Sequence, residues 1–226
     1  MKGEWNNMNN MSGFSKKELI QMATGTCRHR HSYLSHPNCF IIEKQKRNKI
    51  GYFDIETGGL NANFDYMLTW CIKTRGKEEY KSGVILQKDI LSFKFDKELL
   101  KGLIEALKDY DTIVTYYGTG FDIPFVRTRA MSHKLGFIQF GALQAKDCYY
   151  MVRNRMRLGK NSLDSACALL GIRGKNHIKG NYWMRAKIGD PKALTYVLDH
   201  NKKDCQILEK LHKRIEEYVK DTSKSI

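Results

Sequence analysis

Two carboxylates stand one residue apart in Asp54-Ile55-Glu56, near the end of a β-prone run, Ile50–Glu56, that stops at Thr57-Gly58-Gly59. In a strand, residues i and i+2 share a face, so both acids point one way while Phe53 and Ile55 point into the core. Like charges held that close are costly unless a cation lies between them, so the pair reads as a metal site or as a solvated strand end. A further acid, Asp122, follows Tyr117-Gly118-Thr119-Gly120 and opens a helix anchored by Phe121, Ile123 and Phe125. There the helix dipole favours its ionised form, and a simple N-cap is the alternative. Asp204 stands four residues after His200, which places both on one helical face. On spacing alone they form a surface ion pair or belong to the same acidic constellation.

Taken together, these segments resemble the three motifs of the DEDD (DnaQ-like) 3′–5′ exonucleases, above all the branch holding family-B polymerase proofreading domains and YprB-like ribonuclease H-like proteins. The first motif falls on Asp54 and Glu56, the second on Asp122 and the third on Asp204, in the right order and spacing. Supporting sequence lies between them, at Ser162-Leu163-Asp164, Leu169-Leu170-Gly171-Ile172 and Lys175, and the resemblance covers roughly residues 49–215. It implies an α/β RNase H-like fold, a mixed sheet flanked by helices. It also implies two Mg²⁺ or Mn²⁺ ions held by the four carboxylates, one activating a water and the other stabilising the leaving 3′ oxygen. His200 would accept the proton of that water. Two positions depart from the family pattern: Tyr117 replaces the usual asparagine of the second motif, and His200 occupies the spacing of the tyrosine subgroup. The implied activity is 3′–5′ exonucleolytic hydrolysis of nucleic acid. An RNase H-like endonuclease, or a nucleic-acid-binding module with weak or no catalysis, is the alternative.

The charge distribution points to the same partner. Lys and Arg number 39 against 24 Asp and Glu, a net +15, and the excess is segmental. Residues 1–50 hold nine basic and three acidic residues, and residues 151–187 hold nine basic residues against Asp164 alone. Two basic segments on an otherwise balanced chain suit a polyanion tracking over part of the surface. In the second, Arg153, Arg155, Arg157, Lys160 and Lys175 lie near Tyr149, Tyr150, Tyr182 and Trp183. Cations for phosphates and aromatic faces for bases are the combination that binds single strands; Tyr182 and Trp183 read equally well as helix core.

A second ligand-rich stretch lies upstream, with Cys27, His29, His31, His36 and Cys39 falling within thirteen residues. Four of these five would suffice for a structural Zn²⁺; a basic, His-rich loop is the alternative. If Cys27–His31 is extended, Cys27, His29 and His31 share a face, and Pro37 turns His36 and Cys39 back towards them. Cys71, Cys148, Cys167 and Cys205 sit in apolar or helical settings and read as core.

These groups need elements to hold them. Tyr66–Lys73 and Lys81–Leu86 are expected as hairpin partners of the first strand, and Thr112–Tyr116 as a short buried strand. Leu99, Leu100, Leu103, Ile104 and Leu107 line one face of a helix over 96–110. Ser162 caps a short helix stopped by Gly171, and Asp190-Pro191 opens a long helix reaching about Tyr218. The polar stretch Glu43–Lys49 reads as a connector, dividing a basic extension (1–48) from the nuclease-like domain (49–226). The extension lacks the apolar periodicity of a helix pair. No apolar run approaches the roughly 18 residues of a membrane span, and the Asn-rich N-terminus lacks the apolar core of a signal peptide. A cytoplasmic protein without membrane attachment is expected.

Overall fold

The computed structural model describes residues 14, 16–27, 29–47, 49–174, 179–219 and 224–225. Two short helices, α1 (Lys16–Thr24) and α2 (Pro37–Arg47), precede a sheet begun by the antiparallel strands β1 (Ile50–Thr57), β2 (Met67–Thr74) and β3 (Tyr80–Val84). Helices α3 (Gln87–Leu91) and α4 (Lys97–Leu107) lead to β4 (Thr112–Thr115), which pairs parallel with β1. After α5 (Asp122–Ser132), β5 (Gln144–Asp147) pairs parallel with β4; α6 (Cys148–Arg155), α7 (Leu163–Leu169), α8 (Gly180–Lys187) and the 25-residue α9 (Pro191–Ile215) follow. A two-residue β6 (Lys224–Ser225) completes the order β3-β2-β1-β4-β5-β6. The mixed sheet flanked by helices is the expected fold, and no helix among the described residues is long and apolar enough to cross a membrane.

The sheet buries both faces, which explains why β2 and β4 are buried along their whole length. Phe53, Ile55, Ile72 and Ile113 join α4 and α5 on one side; Tyr52, Cys71 and Val114 join α6, α7 and the C-terminal half of α9 on the other. Local signals terminate the helices as their residues require. Ser162 accepts from the Ser165 amide and Asp190 from the Ala193 amide, while Gly171, at φ +67°, supplies the left-handed residue that ends α7.

Two expectations for the N-terminal part fail. Residues 37–47 are helical, so most of the supposed connector belongs to α2, and α1 and α2 do form a pair of helices. Among the described residues their shared core is Met22, Cys27, Tyr33 and Phe40, with Phe14 and Cys39 against it. Among the described residues each helix buries one apolar side chain deeply, Met22 and Phe40, too sparse a pattern to register as periodicity.

One polar knot was invisible in the sequence. Asp96, fully buried, precedes α4 yet caps nothing on it; its carboxylate accepts from the Met67 amide (2.9 Å), Arg129 Nη2 (2.7 Å) and His133 Nε2 (2.8 Å). Arg129 also donates to the Ala62 carbonyl (3.1 Å), so one carboxylate joins α4, α5, β2 and the loop after β1. Removing one partner of a buried pair strands the other charge, at about 3–5 kcal/mol. Asp96→Ala is therefore expected to lower urea-unfolding stability by that amount with an unchanged m-value, whereas a loss below about 1 kcal/mol would mark the knot as a surface-like pair.

Candidate active site

Strand alternation sets the first two acids. Phe53 and Ile55 enter the core with α4 and α5, so Asp54 and Glu56 face the opposite side of β1, beneath α9. That helix lies on the sheet through a stripe at Asn201, Cys205, Leu208 and His212, all buried and spaced for one helical face. Cys205 Sγ approaches the Cys71 carbonyl (3.5 Å), and His212 Nδ1 lies 3.1 Å from Tyr52 Oη. Further along, Glu209 takes Lys73 Nζ (2.7 Å) and the Gly76 amide (2.7 Å), and Glu216 takes Arg75 at 2.6 and 2.9 Å. These contacts fix the rotation of α9 and hence where its acid points.

His200 and Asp204 do share a face, 3.8 Å apart, but the nearer partner of His200 lies across the cleft: Nδ1 stands 3.1 Å from Glu56 Oε1. Glu56, His200 and Asp204 form a cluster whose ligand atoms all lie within 4.8 Å of one another. Asn201, one residue on, donates to Asp54 Oδ2 (2.6 Å), while its own amide oxygen is buried without a hydrogen-bond partner among the described residues. Asp122 arrives from α5 and accepts from the Ile55 amide (3.0 Å). Its loop is held by Asp147, which accepts from the amides of Tyr117 (2.7 Å) and Thr119 (3.0 Å) and also caps α6 through the Tyr149 amide. The turn is tight: Tyr117 has φ +64°, and a side chain on Gly118 would meet Thr115 at 2.5 Å.

The four acids feel one another. Burial pushes Asp54 well above the usual carboxylate range, and Asp122, Glu56 and Asp204 push it further; the Asn201 hydrogen bond only partly opposes them. Burial likewise lifts Asp122 to about 7, against the backbone hydrogen bonds that would lower it. Desolvation and the neighbouring acids thus act at Asp122 against the pull of the helix start. Four carboxylates and an amide oxygen are hard donors, and a divalent cation among them would reverse this cost. Such a donor set fits Mg²⁺ or Mn²⁺.

The remaining sequence candidates scatter. Arg153 and Arg155 on α6, and Arg157 and Lys160 beyond it, are exposed; Lys175 lies outside the described residues. Trp183 is half-buried on α8, and Tyr182 packs against the larger core, its ring 4.4 Å from that of Tyr196. Unforeseen was the grouping of Tyr117, Tyr149 and Tyr150, with ring centroids 4.9–6.4 Å apart beside the Asp122 loop. Of the N-terminal five, Cys27, His29 and Cys39 converge, whereas His31 and His36 stack on each other at 4.3 Å. The segment is not extended: Arg30, at φ +67°, donates its amide to the Cys27 carbonyl and folds it into a turn. Asn201, Asp96 and Asp147 escaped the sequence reading; Asp147 alone carries a signal, as an N-cap aspartate.

Comparison with known proteins agrees with this architecture. The sequence model of the RNase H superfamily matches residues 51–216. The fold is similar to a family B DNA polymerase from the hyperthermophilic archaeon Pyrobaculum calidifontis, with TM-score 0.60 and 18% identity over 75% of this chain and 25% of the polymerase chain. A DNA polymerase of Methanocaldococcus jannaschii is 54% identical over 37 residues, 16% of this chain and 2% of the polymerase. The chain therefore spans at most a quarter of these polymerases.

A carboxyl whose pKa is raised on folding contributes most to stability when protonated, and that contribution is lost as pH rises towards the folded value. In EDTA the protein should lose stability between about pH 4 and pH 7, the window spanned by Asp122, and Mn²⁺ should restore it. Each unit of displacement is worth about 1.4 kcal/mol, or about 3–6 °C at this chain length. Asp54→Asn should accordingly melt several degrees higher than the parent in EDTA at pH 8. A lower melting temperature for that variant would mean the acids do not repel one another.

Proposed function

Because the chain belongs to the RNase H superfamily, we propose that it is a divalent-metal-dependent 3′–5′ exonuclease acting on nucleic acid. The observation that carries this reading is the grouping of acids from β1, α5 and α9: Glu56 and Asp204 lie in one cluster of ligand atoms with His200, and Asp122, Glu56 and Asp204 all press on the buried Asp54. We assign these four as ligands of two Mg²⁺ or Mn²⁺ ions, which when bound would supply an activated water and charge stabilisation at the departing 3′ oxygen. Asn201 and the Ile55 amide orient Asp54 and Asp122, so that their oxygens do not turn away from the cleft. His200, whose Nδ1 stands 3.1 Å from Glu56 Oε1, is assigned as the base that takes the proton of the attacking water. Residues 49–226 carry this activity, with residues 1–48 as an appended lobe.

The strand reaches the acids across the tyrosine group and α6. Tyr150 and Tyr117 are 37% and 46% exposed, enough to offer a ring face to a base. Arg153, Arg155, Arg157 and Lys160 lie beyond them for the phosphates, and a single strand with a free 3′ end is the substrate this arrangement suits. Lys175 and Trp183 are also assigned to nucleic-acid binding.

Digestion of 5′-labelled single- and double-stranded DNA and RNA with Mg²⁺, Mn²⁺ or EDTA tests the reading. A ladder shortening from the 3′ end, absent in EDTA and in Asp54→Asn, is expected; internal fragments would make the protein an endonuclease, and binding without cleavage a recognition module. His200→Ala should lower the single-turnover rate about 10²–10⁴-fold with little change in binding, and a parent-like rate would remove its role as base. Replacing Arg153, Arg155, Arg157 and Lys160 by Gln should flatten the dependence of log affinity on log salt by about 0.7 per lost contact on a single strand. An unchanged slope would route the strand elsewhere.

A further inference from the structure

The carboxylate cleft leaves a second constellation unexplained, and its donors are of the opposite chemical kind. Between α1 and α2 the chain turns back on itself: the Arg30 amide bonds the Cys27 carbonyl (2.8 Å), the Cys27 amide bonds the His31 carbonyl (2.9 Å), and Thr26 bridges Ser32 antiparallel. Cys27 and His29 are thereby presented on one knuckle. Pro37 starts α2 and sets Cys39 in its first turn, so that the second thiol returns to the knuckle. His29 Nδ1 stands 3.8 Å from both Cys27 Sγ and Cys39 Sγ, and the three ligand atoms lie within 4.8 Å of one another.

We propose that Cys27, His29, Cys39 and His31 bind one structural Zn²⁺. With Zn–S near 2.3 Å and Zn–N near 2.0–2.1 Å, a sulfur and a nitrogen on a tetrahedral zinc stand about 3.6 Å apart. Both observed S···N separations are close to that value, with neither cysteine in a disulfide. Thiolate and imidazole select zinc over the hard cations that carboxylates take. The fourth ligand follows from the turn. Cys27 and His31 are opposite one another next to the Thr26–Ser32 bridge, and directly opposed residues of an antiparallel pair project to one face. His31 is exposed, its ring is 6.4 Å from that of His29, and a side-chain rotation that gives up its stack on His36 would bring it to the ion.

The surroundings give the ion a structural task. Among the described residues the core of this lobe is four buried side chains, one of them Cys27 itself, and Tyr33 adds a hydrogen bond to Glu43 (2.7 Å). So small a core needs a staple, and metal binding then becomes folding energy for the segment. The reading is independent of the nuclease assignment, since no carboxylate of the cleft takes part.

Full-length protein purified without chelator should contain about one zinc per chain. The Glu56, His200 and Asp204 cluster could also trap zinc, so the count is repeated on Glu56→Gln/Asp204→Asn, which should keep the ion. Cys27→Ser/Cys39→Ser should lose about tenfold or more of the zinc. If that variant fails to fold, Co²⁺ added to chelator-stripped parent protein settles the matter, by tetrahedral d–d bands with thiolate charge transfer. His31→Ala should weaken the affinity measured against a chromophoric chelator by about 10–100-fold, and His36→Ala by less. A zinc count near zero with no thiolate–cobalt bands, a count that falls with the cleft variant instead, or a Cys27–Cys39 disulfide would each overturn the proposal; a larger loss in His36→Ala than in His31→Ala would overturn the choice of fourth ligand.

Discussion

Repulsion among Asp54, Glu56, Asp122 and Asp204 is the force against which the rest of the domain is arranged. Left alone, β1 and α9 would separate or rotate until their acids reached water. They are held together by contacts outside the cleft: the buried Lys73–Glu209 pair, the Gly76 amide on the same carboxylate, the two-pronged Arg75–Glu216 bridge and the Tyr52–His212 contact. All anchor the C-terminal half of α9 to β1, β2 and the turn that follows β2. Asp204 sits near the middle of this 25-residue helix, so that anchorage is transmitted to it without a flexible joint. Strain in the cleft is thus offset by satisfied charge pairs a few turns away, a common arrangement where a site must be assembled before its ligand arrives.

The third side of the cleft is controlled differently. Asp122 belongs to a helix whose start is defined by a loop, and loops place side chains less accurately than helices or strands do. Asp147 compensates by tying the amides of Tyr117 and Thr119 to the start of α6. Asp96 does the corresponding work at the far end of α5, through Arg129 and His133. Two structural carboxylates, each with its oxygens satisfied, therefore bracket the helix that carries a reactive one. What separates them in chemical character is the donors they meet among the described residues: Asp96 accepts from an amide, Arg129 and His133 and Asp147 from several amides, whereas Asp54 accepts from Asn201 and Asp122 from the Ile55 amide.

The chain also keeps two kinds of donor apart. Oxygen ligands line the seam between sheet and α9, and sulfur and imidazole ligands lie between α1 and α2 with their own small core. Hard and soft donor sets differ in ion preference, so the two groups would not favour the same metal.

Much of this was legible in the residues. The alternation of Phe53 and Ile55 with Asp54 and Glu56 assigns faces on β1 by strand geometry alone, and the caps at Ser162 and Asp190 mark helix starts through local hydrogen bonds. Order and spacing of the four acids are likewise properties of the chain, as is its segmental positive charge. Other features depended on groups far apart in sequence. Nothing near Asp96 announces Arg129, His133 or the Met67 amide, and nothing near His200 announces Glu56, 144 residues away. The pull on Asp122 divides the same way: a helix start is a local property, whereas desolvation is set by everything packed around it. Local sequence determined which residues could act and which way each points from its own element. Only the tertiary structure decided which partners they meet, because burial and pairing energies arise from elements that the chain brings together last.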